Sequence, residues 1–151
     1  MSLALAALAK SLSSAMANLA KQYIEVAVGI LRNSDSQILL TQRQSHQPYS
    51  DYWEFPGGKL EAGEDAQVAL NRELCEEVGV LPINPKPLLS VQHHYPELSV
   101  RLHVFVVDKF EGVPFGKEGQ SYTWCTLDNM TELKLLPAND VILSALNEYM
   151  G

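Results

Sequence analysis

The sequence predicts an α+β fold, an α/β/α sandwich in which a mixed sheet is flanked by helices. Three observations lead there. Apolar, β-rich runs dominate the chain from residue 22 onward. A stretch free of Gly and Pro, residues 65–78, has helical character. A second amphipathic stretch, residues 139–150, closes the chain.

The elements follow in order. YIEVAVGILRN is apolar and β-rich, so residues 23–32 form a strand. Asn33, Ser34, Asp35 and Ser36 make a turn cluster, and QILLTQR (37–43) is a second strand, expected to form a hairpin with the first. SHQPYSD is a loop, and YWEFPGGK carries an aromatic segment into a Pro-Gly-Gly turn. The helix then runs to Val78; Gly79 stops it as a C-cap, and Pro82 and Pro85 prevent its resumption. LLSVQHHY (88–95) and SVRLHVFVVDKF (99–110) are strands joined through Pro96 and Glu97. EGVPFGKEGQ is a glycine-rich loop and SYTWCTL a further strand. The closing helix takes Asn139 or Asp140 as its N-cap.

Length and composition set the bounds. At 151 residues, with 46% hydrophobic and 19% charged side chains, the chain suits one globular domain at residues 22–151, preceded by an extension at 1–21. MSLALAALAKSLSSAMANLAKQ reads as an amphipathic helical or flexible arm. Its apolar run is short and interrupted by Lys10, so it is expected neither to span a bilayer nor to act as a secretory signal. The two cysteines, Cys75 and Cys125, form no CxxC pair and read as reduced thiols of a cytoplasmic protein. A net charge of −7 excludes a nucleic-acid polymer as partner, because no basic run replaces its counterions. It does not exclude a small phosphate ligand that brings its own cations.

The helix carries the puzzle. RELCEE places Glu73, Glu76 and Glu77 within one short run beside Arg72. At about 100° per residue, Glu76 lies about −60° and Glu77 about +40° from Glu73, so all three share a face. Ala66, Leu70, Leu74 and Val78 form an i, i+4 apolar stripe that should face the core. Glu77 falls inside that stripe and Glu73 at its edge. A buried carboxylate costs several kcal/mol unless paired. Arg72, four residues before Glu76, offsets one charge of three. Clustered carboxylate oxygens are hard ligands that suit Mg²⁺ or Mn²⁺, while a salt-bridged helix face is the alternative. Upstream, FPGGKLEAGE lets backbone approach a ligand closely. There Lys59 is placed to meet phosphate oxygens, and Glu64 serves as a brace at the helix start. His93 and His94 are strand neighbours and point to opposite faces, so they do not share a metal.

These residues bring a family into view. Gly58, Glu64, Arg72, Glu73, Leu74, Glu76, Glu77, Gly79 and Val80 fall at the positions of the Nudix box, with no departure. Beyond it, AVGILRN, LLTQR, WEFPGGK, FGKEGQ and LPAND resemble the MutT-type branch, pyrophosphohydrolases that sanitise oxidised nucleotides; the likeness covers residues 23–149. The resemblance implies that Glu73, Glu76 and Glu77 hold the metals, with the Gly57 carbonyl and Glu118 completing the set. It implies that Arg43 and Asn139 contact the nucleotide, Asn139 reading a purine edge, and that Phe55 and Tyr95 stack on or line the base. Attack at the β-phosphorus would then give a nucleoside monophosphate and pyrophosphate, with Glu73 as first choice for general base and Glu118 as second. The expected partner is a small nucleotide such as 8-oxo-dGTP, for a cytoplasmic monomer or homodimer without membrane contact. CTP or modified dCTP, dihydroneopterin triphosphate or ADP-ribose would suit the same box, and a non-catalytic nucleotide-binding module is the reading from another class.

Overall fold

A computed structural model describes residues 23–151. The arm at 1–21 therefore lies outside the described residues. Among the described residues nine strands and three helices follow in the order β1 (Ile24–Leu31), β2 (Ile38–Gln42), β3 (Trp53–Glu54), β4 (Gly57–Lys59), α1 (Ala66–Val78), β5 (Leu81–Pro82), β6 (Lys86–His94), β7 (Ser99–Val107), β8 (Phe110–Glu111), β9 (Tyr122–Cys125), α2 (Leu127–Met130) and α3 (Asn139–Met150). They build a four-stranded sheet ordered β4-β1-β7-β6, a three-stranded sheet β3-β2-β9 and a two-stranded sheet β5-β8. The large sheet is mixed. β1 runs parallel to β7 from Ile24–Val100 to Leu31–Val107, while β4 and β6 join antiparallel.

Strand alternation sorts the core into two. Val26, Val28 and Ile30 of β1 face one side, with Ile38 and Leu40 of β2 and Ile142 and Leu146 of α3. Ala27 and Leu31 face the other, with Ala69, Leu70, Leu74 and Val78 of α1. The sheet thus lies between α1 and α3, as the period-2 strands and period-3.6 helices require.

Four local expectations change. The hairpin of β1 and β2 opens after a single bridge between Arg32 and Ile38. Asn33 Oδ1 accepts from the Asp35 and Gln37 amides, turning the chain, and β2 then pairs with β3 and β9 in the second sheet. Second, the Pro-Gly-Gly turn is a strand: β4 pairs with β1 through Val26–Lys59, Ala27–Gly58 and Val28–Gly57. Third, the long strand 99–110 divides, and its end, β8, pairs with β5. Fourth, α3 is capped by Ala138 with no side-chain hydrogen bond, and Asn139 Nδ2 instead donates to the Leu136 carbonyl at 3.0 Å. At α1 the termini are conventional. The Asp65 side chain accepts from Val68 N at 2.9 Å, and Gly79 adopts the left-handed φ of 75° that ends the helix.

Candidate active site

The site grows from α1 and the strand laid beneath it. Leu70, Leu74 and Val78 are fully buried against the sheet, and the same helical period carries Glu77 (0% exposed) and Glu73 (5%) inward with them. Glu76 points outward, its side chain 49% exposed. The inward placement expected of Glu77 and Glu73 is therefore present, and Glu76 lies at the rim.

Each inward carboxylate is half satisfied. Glu77 Oε2 accepts from Gly57 N at 3.1 Å, whereas its Oε1 is buried without a partner. Glu73 Oε1 accepts from Arg72 Nη1 at 2.9 Å, whereas its Oε2 is likewise buried and unpartnered. Desolvation drives both up in pKa: Glu73 to about 7 against the pull of Arg72, and Glu77 well above the ordinary carboxylate range. The charges of Glu54 and Glu118 push Glu77 further in that direction.

Gly58 makes room for this. A Cβ at position 58 would overlap the Glu73 carboxyl group, and one at Gly57 would overlap the Ala27 carbonyl oxygen. Gly58→Ala should therefore lower stability by about 1–3 kcal/mol through overpacking and displace Glu73. The measurements are a melting curve and turnover on one preparation. A Gly58→Ala protein matching the parent in both would show that the fit is loose.

Arg72 is the counter-charge. It clasps Glu64 through Nε and Nη2, both at 2.8 Å, donates to the Lys59 carbonyl at 3.1 Å, and reaches Glu76 at 3.5 Å. This raises Arg72 and holds the Glu64 carboxyl down at about 2, chiefly through their shared hydrogen bonds. Glu64 also accepts from Glu61 N at 2.7 Å, so it braces the loop entering α1 as its sequence position suggested. The Lys59 side chain stands exposed on the neighbouring strand.

Glu118 arrives from the loop after β8. Lys117 N donates to the Glu77 carbonyl at 3.2 Å, and Gly119 N closes a turn onto Gly116 O at 3.0 Å. The residues expected to touch a nucleotide lie toward the other core. Arg43 is buried, its Nε donating to Pro48 O at 2.7 Å and its Nη1 reaching both Glu54 oxygens at 3.2 and 3.3 Å; Nη2 has no partner. Burial outweighs Arg43 and lifts Glu54 to about 7. Phe55 is fully buried in the main core, with no surface exposed. Tyr95 packs near Tyr49 and His93, with ring centroids at 6.2 and 4.5 Å, and bonds the Ala138 backbone beside Asn139; burial pushes its hydroxyl up to about 12. Tyr95 and Asn139 are thus brought together, whereas Arg43 is occupied by protein partners.

The donor set suits a hard cation. When ionised, these carboxylates only accept, and Glu73 Oε2 and Glu77 Oε1 have no hydrogen-bond partner from the protein. Among the described residues no three His, Cys, Asp or Glu side chains already converge as a ready cage; Arg72 bonds one oxygen of Glu73 and Gly57 N one oxygen of Glu77. Sequence reasoning missed Glu54, the partner of Arg43, and Gln120, whose side chain ties the Glu118 loop to α1. Only the unusual polarity of a buried strand position hinted at the first.

A mixed sheet between helices, with half-satisfied carboxylates on a helix over a glycine strand, defines a carboxylate site of the cation-holding class. The family model described as the NUDIX domain matches residues 23–146, and the chain belongs to that family. It is 39% identical over 126 residues to the 8-oxo-dGTP diphosphatase of Haemophilus influenzae, covering 83% of this chain and 93% of that protein. It is 34% identical over 122 residues to the CTP pyrophosphohydrolase of Escherichia coli, covering 81% and 90%. A solved structure from work on MutT of Aliivibrio salmonicida and Vibrio cholerae superposes with a TM-score of 0.70 at 34% identity, covering 82% of this chain and 95% of that one.

Proposed function

We propose that this protein hydrolyses a nucleoside triphosphate to the monophosphate and pyrophosphate, with 8-oxo-dGTP as the preferred substrate and Mg²⁺ or Mn²⁺ as cofactor. The observation that carries the reading is the pair of buried, unpartnered oxygens, Glu73 Oε2 and Glu77 Oε1, on the box helix. The likeness to an 8-oxo-dGTP diphosphatase along almost its whole length supports the substrate.

In this reading Glu73, Glu76, Glu77, Glu118 and the Gly57 carbonyl hold the cation. A bound divalent ion neutralises triphosphate charge and acidifies a coordinated water. The chain's own groups do the rest. Glu73 takes the proton of the attacking water, with Glu118 as second candidate. Arg72 keeps Glu73 oriented through Oε1 while Glu64 fixes Arg72. Lys59, exposed beside the site, meets phosphate oxygens. Asn139 reads the purine edge with Tyr95 beside it; Phe55 shapes the pocket from within the core. Arg43 contributes the one guanidinium nitrogen that the protein leaves unpartnered. The enzyme works in the cytoplasm as a monomer or homodimer. Among the described residues no helix is long and apolar enough to cross a membrane.

Turnover should be measured with 8-oxo-dGTP, dGTP, CTP and 5-methyl-dCTP in Mg²⁺. The reading requires pyrophosphate release and the highest kcat/KM with 8-oxo-dGTP. The same chemistry directed at CTP is the second reading, favoured by the likeness to a CTP pyrophosphohydrolase, and a kcat/KM highest for CTP would establish it instead. Absence of pyrophosphate release from every nucleotide would sink both.

A further inference from the structure

Glu77 O is one of the last carbonyls of α1, a group that a helix leaves without an intrahelical partner. Two donors from the loop carrying Glu118 fill it. Lys117 N reaches it at 3.2 Å, and the side chain of Gln120 donates through Nε2 at 2.9 Å. The other end of the same amide, Gln120 Oε1, accepts from Glu118 N at 2.9 Å. Gln120 is 7% exposed, so these bonds are shielded from exchange with water. Glu118 is exposed, in a turn between Gly116 and Gly119, where φ is +86° at Gly119. A Cβ at Gly116 would overlap the Gln120 carbonyl, so the turn is wrapped tightly around this residue.

Glu77 is therefore the common anchor of two other parts of the site. The Glu77 carboxylate holds the β4 strand through Gly57 N, and its carbonyl holds the Glu118 loop through Gln120. We propose that Gln120 is a positioning residue, a buried amide clamp that sets the backbone of Glu118 against the carboxylate helix so that the Glu118 side chain completes the cation site. The inference rests on the proposed role of Glu118. It adds that the placement of Glu118 depends on a side chain that touches neither cation nor substrate. Phe115 N, donating to the Val78 carbonyl at 3.2 Å, ties the start of this loop to α1, three residues before Glu118. The side-chain bonds of Lys117 Nζ to Cys75 O at 3.2 Å and Gln44 Nε2 to Glu118 O at 3.3 Å are exposed and are weaker constraints.

The test compares Gln120→Met, which keeps shape and removes both hydrogen bonds, with Glu118→Gln and the double variant. Three quantities are read: hydrogen exchange of the Glu118 amide, binding of Mn²⁺ followed by loss of the free-ion EPR signal, and the kcat and KM for nucleotide. Gln120→Met should speed Glu118 amide exchange, weaken Mn²⁺ binding about tenfold, as loss of an outer partner does, and lower kcat more than it changes KM. In the Glu118→Gln background it should add less than about twofold, because coupled residues are not additive. Wild-type Mn²⁺ binding in Gln120→Met beside weakened binding in Glu118→Gln overturns the clamp alone. An equal loss from Gln120→Met in both backgrounds also overturns it, since the residue then acts by another route. Wild-type Mn²⁺ binding and turnover in Glu118→Gln overturn the Glu118 role and the clamp with it. Should Gln120→Met fail to fold, Gln120→Asn keeps the amide one methylene short. It should show the same pattern more mildly, and wild-type binding there overturns the proposal.

Discussion

Glu77→Gln should lower turnover by more than about 10²-fold, beyond the ~10–100-fold that loss of an outer partner of a metal ligand costs, while leaving the metal-free fold intact. Glu77 is fully buried, with one oxygen on Gly57 N and the other without a partner. Glutamine keeps an acceptor for the Gly57 amide and removes a charge whose burial is unfavourable. The cation-free protein should therefore melt no lower than the parent. The response to metal is what disappears. A ligand bound only by the native state at a hundredfold its Kd stabilises by about 2.7 kcal/mol. For a chain of this length that is a rise in Tm of about 5–10 °C. Mg²⁺ should produce this shift in the parent and little of it in Glu77→Gln. Circular dichroism, a melting curve with and without Mg²⁺, and turnover decide the matter. Normal activity in the variant refutes the ligand role. A collapsed Tm without metal would show Glu77 to be a structural group whose charge the fold needs. Glu76→Gln is the useful contrast: its side chain is half exposed and only 3.5 Å from Arg72, so it should cost activity with no gain in metal-free stability.

Why the carboxylate helix was legible and its surroundings less so has a physical basis. Helical period is a local property, so the positions of Glu73 and Glu77 relative to Leu70, Leu74 and Val78 are fixed by spacing alone, and both are buried as that spacing demands. The brace by Glu64 was legible for the same reason, since Arg72 is only eight residues on. The glycine segment was misjudged because Gly57 and Gly58 carry turn propensity. Their conformation is decided by pairing with Val28 and Ala27 of β1, a partner distant in sequence. The hairpin failed likewise, since β2 finds its hydrogen bonds with Trp53 and Glu54 on one side and Tyr122 to Cys125 on the other. The ion pair of Arg43 with Glu54 was not legible because nothing local marks Glu54, eleven residues on, as its partner. Gln120 was invisible because its contact with Glu77 spans 43 residues of sequence.

The same buried carboxylates make stability depend on pH in an unusual sense, and on the cation in the opposite one. Burial raises Glu73 to about 7, against 4.5 in a solvated chain, and also lifts Glu77 well above the ordinary carboxylate range. Below pH 4.5 both states hold these protons, so the two residues add no pH dependence. Between 4.5 and about 7 the unfolded chain releases them while the native state keeps them, and the native state loses stability as pH rises. At ~1.4 kcal/mol per pH unit, Glu73 alone removes on the order of 3 kcal/mol across that window. Glu54, lifted by burial to about 7, acts in the same direction. Glu64 has the ordinary sign. Its native carboxyl, held at about 2, adds stability that is full above 4.5 and is lost only as pH falls below it, so it does not mask the window. Chelated protein should therefore melt at a higher temperature at pH 5 than at pH 8. A cation requires the ionised carboxylates, so its affinity rises over the same interval. The increase in Tm on adding Mg²⁺ should then be small at pH 5 and large at pH 8, and the two melting profiles should converge toward acid. A chelated Tm that is flat or rises from pH 5 to pH 8 would mean that Glu73 and Glu77 are charged and solvated in the native state, and the inward-facing cation site would fall with it.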